Sequence, residues 1–415
     1  SDMAAMADGT HFASVYVTSG ATVATFVGRV TAVDATSITV SLTAVSGTPP
    51  ATDATGGLTT LKVDGAWKGP NAAASFPFGF LTAALKNANG DTPRVNFKSG
   101  TSYSVTAAMT HSLAGPCRFE GYTATPGDGG RATIDGGSAS AFRVLSVTGN
   151  DNVVKSMIFT NDAASGGDWV VYLSGTRGLL LGCVIHDCRA YGLYTGNGVV
   201  VSECEFYACN KGNSSGYAAH YCSSDVYDSI YHDNVGSNTS GLKLFGEGAS
   251  NANRVSRCIF DSNGTNGGIY FGGQANYSID SCDFYNNVGS GIDASNPVAP
   301  MLLDIRNSNF AKNGNAGSGY GFNGGSGLIR NGRIVNCGFG TGSQANGSGN
   351  TTGLGSMVFD GLGTGSIAYA SDVTPWVDPA NGDFTPKLGA AIGAGRGAFT
   401  QTAASYAGAV GAPVI

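Results

Sequence analysis

Residues 197–221 read NGVVVSECEFYACNKGNSSGYAAHY, and this stretch contains the pattern that predicts the fold. Val201 is followed by two variable positions, then Cys204, one variable position and the aromatic Phe206. The pattern recurs in Val154-Met157-Phe159, Leu180-Cys183-Ile185, Val201-Cys204-Phe206, Val226-Ser229-Tyr231, Val255-Cys258-Phe260, Ile279-Cys282-Phe284, Ile305-Ser308-Phe310 and Ile334-Cys337-Phe339. The central residues lie 21 to 29 positions apart. A short fixed motif on loops of varying length predicts a solenoid built coil by coil.

Two further features predict that the coils consist of strands. A second apolar run opens with glycine in most units, as in Gly192-Leu193-Tyr194, and these runs are too short for helices. Small polar or thiol side chains recur five positions after the central residue, at Asp162, Cys188, Cys209, Asn234, Asn263, Asn287 and Asn313. Asparagine at one corner of each coil can stack its amide on the next coil and tolerates left-handed backbone geometry. We therefore predict an all-β parallel β-helix, with successive coils about 4.8 Å apart.

Residues 197–221 resemble the coils of right-handed parallel β-helix proteins of the pectate-lyase-like superfamily. The resemblance covers about the middle two thirds of the chain. The superfamily includes pectate lyases, polygalacturonases, phage tailspikes and surface proteins, and this chain is most similar in style to the tailspikes and surface proteins. The resemblance implies the solenoid fold and leaves the activity open.

The chain is expected to divide into four segments. Residues 10–63 alternate apolar and polar side chains in short runs, which is typical of antiparallel strands. The first coil of a β-helix exposes unpaired backbone that a short helix can cover. The predicted segments are a small antiparallel entry module at 1–66, a linker and capping helix at 67–92, the coils at 93–345, and C-terminal coils with a closing segment at 346–415.

Composition restricts the partners. The net charge of −6 gives no basic stripe, so nucleic acid is not expected as a partner. No apolar run reaches the roughly 20 residues of a membrane helix, so membrane insertion is not expected. The resemblance implies an extracellular or virion-surface location, a polysaccharide or other glycan as partner, and a homo-oligomer that would be a trimer if the chain is tailspike-like.

The nine cysteines are predicted to be reduced core residues. Five share the central register of the motif, namely Cys183, Cys204, Cys258, Cys282 and Cys337. A small apolar thiol suits a buried ladder, and no CxxC pair is present for a zinc site. A bridge between neighbouring coils, from Cys183 to Cys204 or from Cys188 to Cys209, stays open as an alternative.

The strand register also predicts a candidate binding surface. The third position after the central residue gives His186, Tyr207, His232, Asp261 and Tyr285, and the first position adds Glu205 and Asp283. Alternation in a strand turns these side chains away from the core. Rings with carboxylates suit a saccharide, because sugar C–H groups pack on rings and hydroxyls need acceptors. We assign substrate binding to Glu205, Tyr207, Tyr285 and His186.

The same stripe offers candidate catalytic residues, namely Asp261, Asp283 and His232. Asp261 and Asp283 are expected about 8 Å apart, within the range of about 6.5 to 9.5 Å found in inverting glycosidases. His232 or Tyr285 is the candidate base of a lyase. A third alternative is a solvated face without function.

One cation site is considered, although no cofactor is otherwise expected. Glu203, Asp228 and Arg257 each precede a central residue, so they are expected on neighbouring coils. Two carboxylates about 4.8 Å apart repel each other unless the arginine or a cation such as calcium compensates. Calcium at Glu203 and Asp228 is therefore an alternative to a simple ion pair.

Whether the chain is an enzyme is left open. The resemblance would imply catalytic motifs, yet the Asn-Thr-Asp, Asp-Asp, Gly-His-Gly and Arg-Ile-Lys set of polygalacturonases is absent. The calcium-binding acids and Arg-x-Pro-x-x-Arg of pectate lyases are absent too. One hypothesis is a structural or adhesive β-helix on a virion or cell surface that presents a polysaccharide-recognition face. The alternative is a secreted polysaccharide lyase or glycoside hydrolase that acts through the outward-facing stripe.

Overall fold

The structure is a computed structural model that describes residues 94–324 apart from short gaps, together with isolated strands on either side. The gaps are 101, 106–107, 112–116, 126, 138–141, 163–167, 213–217, 246, 296–301 and 315–319. Only Trp67 of the segment 67–92 is described, so the predicted capping helix lies outside the described residues. No helix in the described part is long and apolar enough to cross a membrane.

The N-terminal strands form the expected antiparallel sheet, in the order β3-β2-β1-β4-β5. They are β1 Phe12–Ser19, β2 Thr22–Val33, β3 Ile38–Ser46, β4 Leu58–Val63 and β5 Ala66–Trp67. A separate antiparallel hairpin near the C-terminus pairs β38 Trp376–Asp378 with β39 Asp383–Pro386. The four predicted segment boundaries stay predictions.

Between these regions the chain winds through three parallel sheets, which confirms the parallel β-helix. Sheet 1 contains β6 Arg94–Lys98, β9 Arg118–Tyr122, β12 Val153–Lys155, β15 Leu179–Leu181, β18 Val200–Ser202, β21 Asp225–Tyr227, β24 Glu247–Ser256, β27 Gln274–Asp280, β30 Leu303–Arg306, β33 Arg333–Val335 and β36 Val358–Phe359. Sheet 2 contains β7 Ser102–Ser104, β10 Ala132–Asp135, β13 Met157–Asn161, β16 Val184–Cys188, β19 Glu205–Cys209, β22 Ile230–His232, β25 Ile259–Asp261, β28 Asp283–Tyr285, β31 Asn309–Ala311, β34 Gly338–Phe339 and β37 Ile367–Ala368. Sheet 3 contains β8 Met109–His111, β11 Leu145–Val147, β14 Trp169–Leu173, β17 Tyr191–Thr195, β20 Ala218–Cys222, β23 Ser240–Leu244, β26 Gly267–Phe271, β29 Ile292–Asp293, β32 Phe322–Asn323 and β35 Ala345–Asn346.

The recurring motif turns the corner from sheet 1 to sheet 2. Its aliphatic residue faces the core from sheet 1, and its aromatic residue faces the core from sheet 2, where Phe206, Tyr231, Phe260 and Phe284 pair in register. Adjacent rings in this row stack with centroids 4.6 to 5.0 Å apart. The rings are fully buried, so each coil places its largest apolar side chain on that of the next coil.

An asparagine ladder lines the corner between sheets 2 and 3, as predicted. The Nδ2 group of Asn263 donates to Tyr231 O (2.9 Å) and to Asn287 Oδ1 (2.9 Å), while Asn263 Oδ1 accepts from Asn234 Nδ2 at 2.8 Å. Asn287 repeats the arrangement with Asn313 at 2.7 Å. These amides are buried and satisfy backbone groups that the turn would otherwise leave unpaired.

Two details of the predicted ladder are wrong. The left-handed backbone falls one residue before each asparagine, for example at Ser262 with φ of 51° and at Asn286 with φ of 55°. The ladder asparagines are therefore selected by their hydrogen bonds. Asp162 is also out of register, because a shift in the pairing of β13 with β16 places the buried Asn161 opposite Cys188.

The recurrent glycines have a steric cause. A Cβ atom on Gly268 would lie 2.8 Å from Phe260 Cβ and 2.9 Å from Phe284 Cδ1, and one on Gly241 would lie 2.9 Å from Tyr231 Cβ. These distances are too short for real carbon contacts. The glycines near the start of β23 and β26 therefore make room for the stacked rings of sheet 2.

The described cysteines are free and buried, as predicted for a core ladder. They are Cys117, Cys183, Cys188, Cys204, Cys209, Cys222, Cys258 and Cys282, whereas Cys337 lies outside the described residues. Neither of the two alternative bridges is formed in the structure. Ser229 takes the central position in one coil, where its Oγ accepts a hydrogen bond from Cys204 N at 3.1 Å.

One polar network lies inside the solenoid, on the inner face of sheet 3. His220 is fully buried, with Nδ1 2.9 Å from the Tyr231 hydroxyl and Nε2 2.7 Å from Thr195 Oγ1. Burial lowers the pKa of His220 to about 3. The imidazole is therefore neutral at physiological pH and belongs to the core.

Candidate functional site

The predicted register of the outward stripe is confirmed on sheet 2. One row contains His186, Tyr207, His232, Asp261 and Tyr285, paired from coil to coil on β16, β19, β22, β25 and β28. The neighbouring row contains Glu205, Ile230, Ile259 and Asp283. The strands thus bring all seven predicted site residues onto one side of the sheet, although their exposure differs.

Three rings form the centre of this stripe. The His186 and Tyr207 rings stack with centroids 4.8 Å apart and planes 3° apart, and Tyr207 stacks on His232 at 5.1 Å. All three side chains are half-buried. Because Tyr207 has a ring on each face, it presents mainly its rim and hydroxyl, so a sugar cannot lie flat on it as a free platform.

His232 lies between two carboxylates. Its Nε2 is 3.1 Å from Glu205 Oε1, and its Nδ1 is 2.9 Å from Asp233 Oδ2. Burial would lower the pKa of His232, but the hydrogen bonds to Glu205 and Asp233 outweigh burial and raise it. The bond to His232 in turn lowers the pKa of Glu205. Since ionised carboxylates only accept, this geometry favours the imidazolium, which donates from both nitrogens.

The stack continues into an ion-pair chain at its N-terminal end. His186 Nδ1 is 2.7 Å from Asp187 Oδ2, and Lys211 Nζ bonds both Asp187 (2.9 Å) and Asp162 (2.7 Å). Burial opposes ionisation of Asp187, but the hydrogen bonds from Lys211 and His186 keep its pKa below the usual value. Four coils are therefore linked by rings and charged groups from Asp162 to His232.

Asp261 continues the row one coil beyond His232 and is half-buried. Burial raises the pKa of Asp261, although hydrogen bonds from Ser262 (2.8 Å) and Asn286 (3.4 Å) oppose the shift. The stripe thus contains one carboxyl group that retains its proton more readily than usual, Asp261, and one that loses it more readily, Glu205.

The prediction that Asp283 and Tyr285, on β28, are exposed is wrong. Asp283 is 1% exposed and accepts a hydrogen bond from Asn309 Nδ2 at 2.8 Å. Tyr285 is 2% exposed and packs with Ile259 and Ala311, and burial raises its pKa. Both side chains point away from the main core, yet a second small apolar cluster encloses them. The accessible stripe therefore ends at Asp261, and the predicted pair of Asp261 and Asp283 joins a half-buried carboxyl to a buried one.

The corner between sheets 1 and 2 holds the residues considered for calcium. Glu203, Asp228 and Arg257 have left-handed backbones, with φ of 56°, 49° and 55°. Arg257 binds both carboxylate oxygens of Asp228, each at 2.7 Å, and so occupies the place where a cation would compensate that charge. No group of three or more potential ligands converges among the described residues. Calcium at Glu203 and Asp228 stays a prediction.

Sequence reasoning missed a second outward surface, on sheet 3. Tyr172, Tyr194, Tyr221, Lys243 and Tyr270 pair in register on successive coils. All five side chains are half-buried. The available signal was the aromatic residue two places after the opening glycine, as in Gly192-Leu193-Tyr194, because alternation turns that residue outward.

No family model and no curated protein matches the chain. Two solved structures are similar to it. The crystal structure of pectate lyase Pel9A is 18% identical, over 71% of this chain and 81% of that chain, with a TM-score of 0.48. The crystal structure of Dettilon tailspike protein is 14% identical, over 69% of this chain and 66% of that chain, with a TM-score of 0.35. Similarity of this degree has no bearing on function.

Proposed function

We propose that the chain is a structural or adhesive β-helix protein of a virion or cell surface, and that it recognises polysaccharide through the outer face of sheet 2. The recognition face consists of His186, Tyr207, Glu205, His232 and Asp261. The observation that carries the proposal is the in-register stack of three half-buried rings with carboxylates on both sides.

The chemistry of this face complements a hydroxyl-rich ligand. Asp187, Glu205 and Asp233 supply carboxylate acceptors beside the stack, and the imidazolium of His232 holds Glu205 and Asp233 in place through charge-assisted hydrogen bonds. The ring rims supply apolar contact for sugar C–H groups. A saccharide would exchange its water contacts for this mixed set of groups without requiring a deep pocket.

Glycan binding by matched tyrosine variants tests the proposal. Tyr207→Ala should weaken retention on a polysaccharide panel by about 1 to 3 kcal/mol, because a ring central to the face is lost while the solenoid core is untouched. Tyr227→Ala is the control, because Tyr227 is equally half-buried but lies on sheet 1. Equal retention by the wild type and by Tyr207→Ala, His232→Ala and Asp261→Ala would contradict the proposal.

Glycoside hydrolysis is the second candidate, favoured by the opposite pKa shifts of Asp261 and Glu205. Carboxyl groups whose pKa values are pushed apart are suited to the roles of acid and base. Asp261 is then the proton donor, and Glu205 is a better partner than the buried Asp283. Asp261→Asn should lower reducing-end release by about 100-fold to 10,000-fold with little change in affinity. A lyase with His232 as base is less well supported, because a base must begin unprotonated.

A further inference from the structure

The outer face of sheet 3 carries a continuous cluster of aromatic side chains that the proposed sheet 2 site does not use. We call it the aromatic face and define it by Trp169, Tyr172, Tyr191, Tyr194, Tyr221 and Tyr270. Tyr172 stacks on Tyr194 at 4.6 Å, and Tyr194 stacks on Tyr221 at 5.8 Å, with planes within 16°. The rings are half-buried, so a row of ring rims spans successive coils.

Trp169 is the centre of the aromatic face. Its ring stacks on Tyr191 at 5.2 Å and meets Tyr194 and Tyr221 edge to face at 5.3 and 6.5 Å. Its Nε1–H group has no acceptor among the described residues. The Nε1 atom is itself buried. Two stacks at steep angles to each other thus produce a ridged surface of ring edges.

Two cations extend the row. The Arg143 guanidinium lies 4.0 Å from the centroid of Tyr172 and pairs with Asp168 at 3.1 Å. The Lys243 ammonium lies 5.4 Å from the Tyr221 ring and 5.7 Å from the Tyr270 ring. Each coil from β14 to β26 therefore contributes one ring or ammonium group to the same row.

We propose that the aromatic face binds a linear polysaccharide that runs along the solenoid axis with about one sugar unit per coil. Successive coils are about 4.8 Å apart, which is close to the length of one pyranose unit in an extended chain. A tyrosine hydroxyl or lysine ammonium at each step can pair with a sugar hydroxyl at each step. This inference shares its ligand class with the proposed function but assigns a separate site.

The regular polar groups favour a polysaccharide over a second copy of this chain. An interface between copies buries apolar side chains and excludes most charged groups from its centre. Here Lys243 lies inside the row, between the Tyr221 and Tyr270 rings. A sugar chain offers both C–H groups for the ring rims and hydroxyls for the polar ends, and it repeats them with the period of the coils.

Three matched tyrosines, one on each sheet, separate the two sites. Tyr194→Ala, Tyr207→Ala and Tyr227→Ala each remove one half-buried ring, and circular dichroism with thermal melting checks that each variant is folded. On affinity gels that contain soluble plant, bacterial or algal polysaccharides, Tyr194→Ala should lose about tenfold or more in affinity, and Tyr227→Ala should match the wild type. Loss with Tyr207→Ala but not Tyr194→Ala would overturn the aromatic face and keep the proposed function. Loss of affinity with Tyr194→Ala but not with Tyr207→Ala would overturn the proposed sheet 2 site and keep the aromatic face. If the gels do not retain the wild type, both proposals are overturned.

Length-graded linear oligosaccharides, from disaccharide to hexasaccharide, test the alignment with the coils. For a polysaccharide retained in the gels, calorimetric affinity should rise with each added unit up to the pentasaccharide, because the row spans five coils. Tyr270→Ala, at one end of the row, should weaken the pentasaccharide several-fold more than the disaccharide. An affinity already complete at the disaccharide would overturn the alignment. A shift from oligomer to monomer in Trp169→Ala, with glycan affinity unchanged, would show instead that the face joins copies of this chain.

Discussion

The two faces of sheet 2 are formed by alternate residues of the same strands, yet they follow different rules. On the inner face, Phe206, Tyr231, Phe260 and Phe284 repeat a large aromatic ring from coil to coil. The residue after each of them faces outward, and there Tyr207, Asp261 and Tyr285 differ in chemistry and in burial. The inner row must fit one cross-section in every coil, whereas the outer row has no such requirement.

This difference separates stability from recognition. The inner rings have no access to solvent, so they contribute through packing. On the outer face, Tyr207, His232 and Asp261 are half-buried and can contact a ligand. Changes on the inner face should therefore lower the free energy of unfolding, and changes on the outer face should alter binding or titration while leaving the fold intact.

Removing an inner ring should have the largest effect. Phe260 is fully buried, with the Tyr231 and Phe284 rings 5.0 and 4.8 Å away. We expect Phe260→Ala to lower the free energy of unfolding by about 3 to 5 kcal/mol, measured from urea denaturation followed by circular dichroism. Tyr207→Ala, on the other face, should cost less than about 1 kcal/mol. Equal losses of stability in Phe260→Ala and Tyr207→Ala would contradict this division of roles between the inner and outer faces.

The asparagine ladder should rank second. Asn263→Leu removes the three buried hydrogen bonds that the Asn263 amide makes with the Tyr231 carbonyl, Asn234 Nδ2 and Asn287 Oδ1, and places an apolar side chain against these polar groups. The expected loss is about 2 to 3 kcal/mol. Asn266→Leu is the matched control, because Asn266 is partly exposed and donates one side-chain bond, to Asn238 O at 2.7 Å. Asn266→Leu should cost less than about 1 kcal/mol. If Asn263→Leu is as stable as Asn266→Leu, the asparagine ladder does not stabilise the solenoid as described.

The repeat explains which features could be predicted from the sequence. The apolar residue that ends the motif and the small central Cys or Ser recur from coil to coil, and the corner asparagine recurs in four coils, so their positions follow from the spacing of a single motif. The outward register of Tyr207 and His232 follows from the same spacing through alternation. The burial of Asp283 and Tyr285 does not follow from the spacing of the motif, because it depends on which side chains pack over that coil. The αL position also escaped prediction, since it belongs to the residue before the asparagine and varies in type, from Asp233 to Ser262.

Histidines inside and outside the solenoid should respond to pH with opposite sign. The folded-state pKa of the inner His220 is lowered to about 3, whereas an unfolded histidine titrates near 6.5. Between these values the unfolded state binds one more proton, so stability falls as pH falls. Between pH 6.5 and pH 5 the expected loss is about 2 kcal/mol. Urea denaturation across this pH range should show that loss in the wild type. In His220→Gln the free energy of unfolding should depend less steeply on pH, because the titrating group is gone.

The outer His232 should produce the smallest effect, with the reverse sign. Its folded-state pKa is raised because the carboxylates of Glu205 and Asp233 outweigh burial. Its contribution to stability is therefore complete below the unfolded pKa and is lost as pH rises through the raised value, and it should be less than about 1 kcal/mol for a partly exposed pair. NMR titration of the imidazole measures this pKa more directly than denaturation does.

Glu205→Gln replaces the carboxylate 3.1 Å from Nε2 with a neutral amide, so the pKa of His232 should fall. Glu203→Gln, an exposed neighbour on the same coil, should leave that pKa unchanged. A His232 pKa at or below the usual value in the wild type, or one that does not respond to Glu205→Gln, would mean that the outer face does not hold an imidazolium.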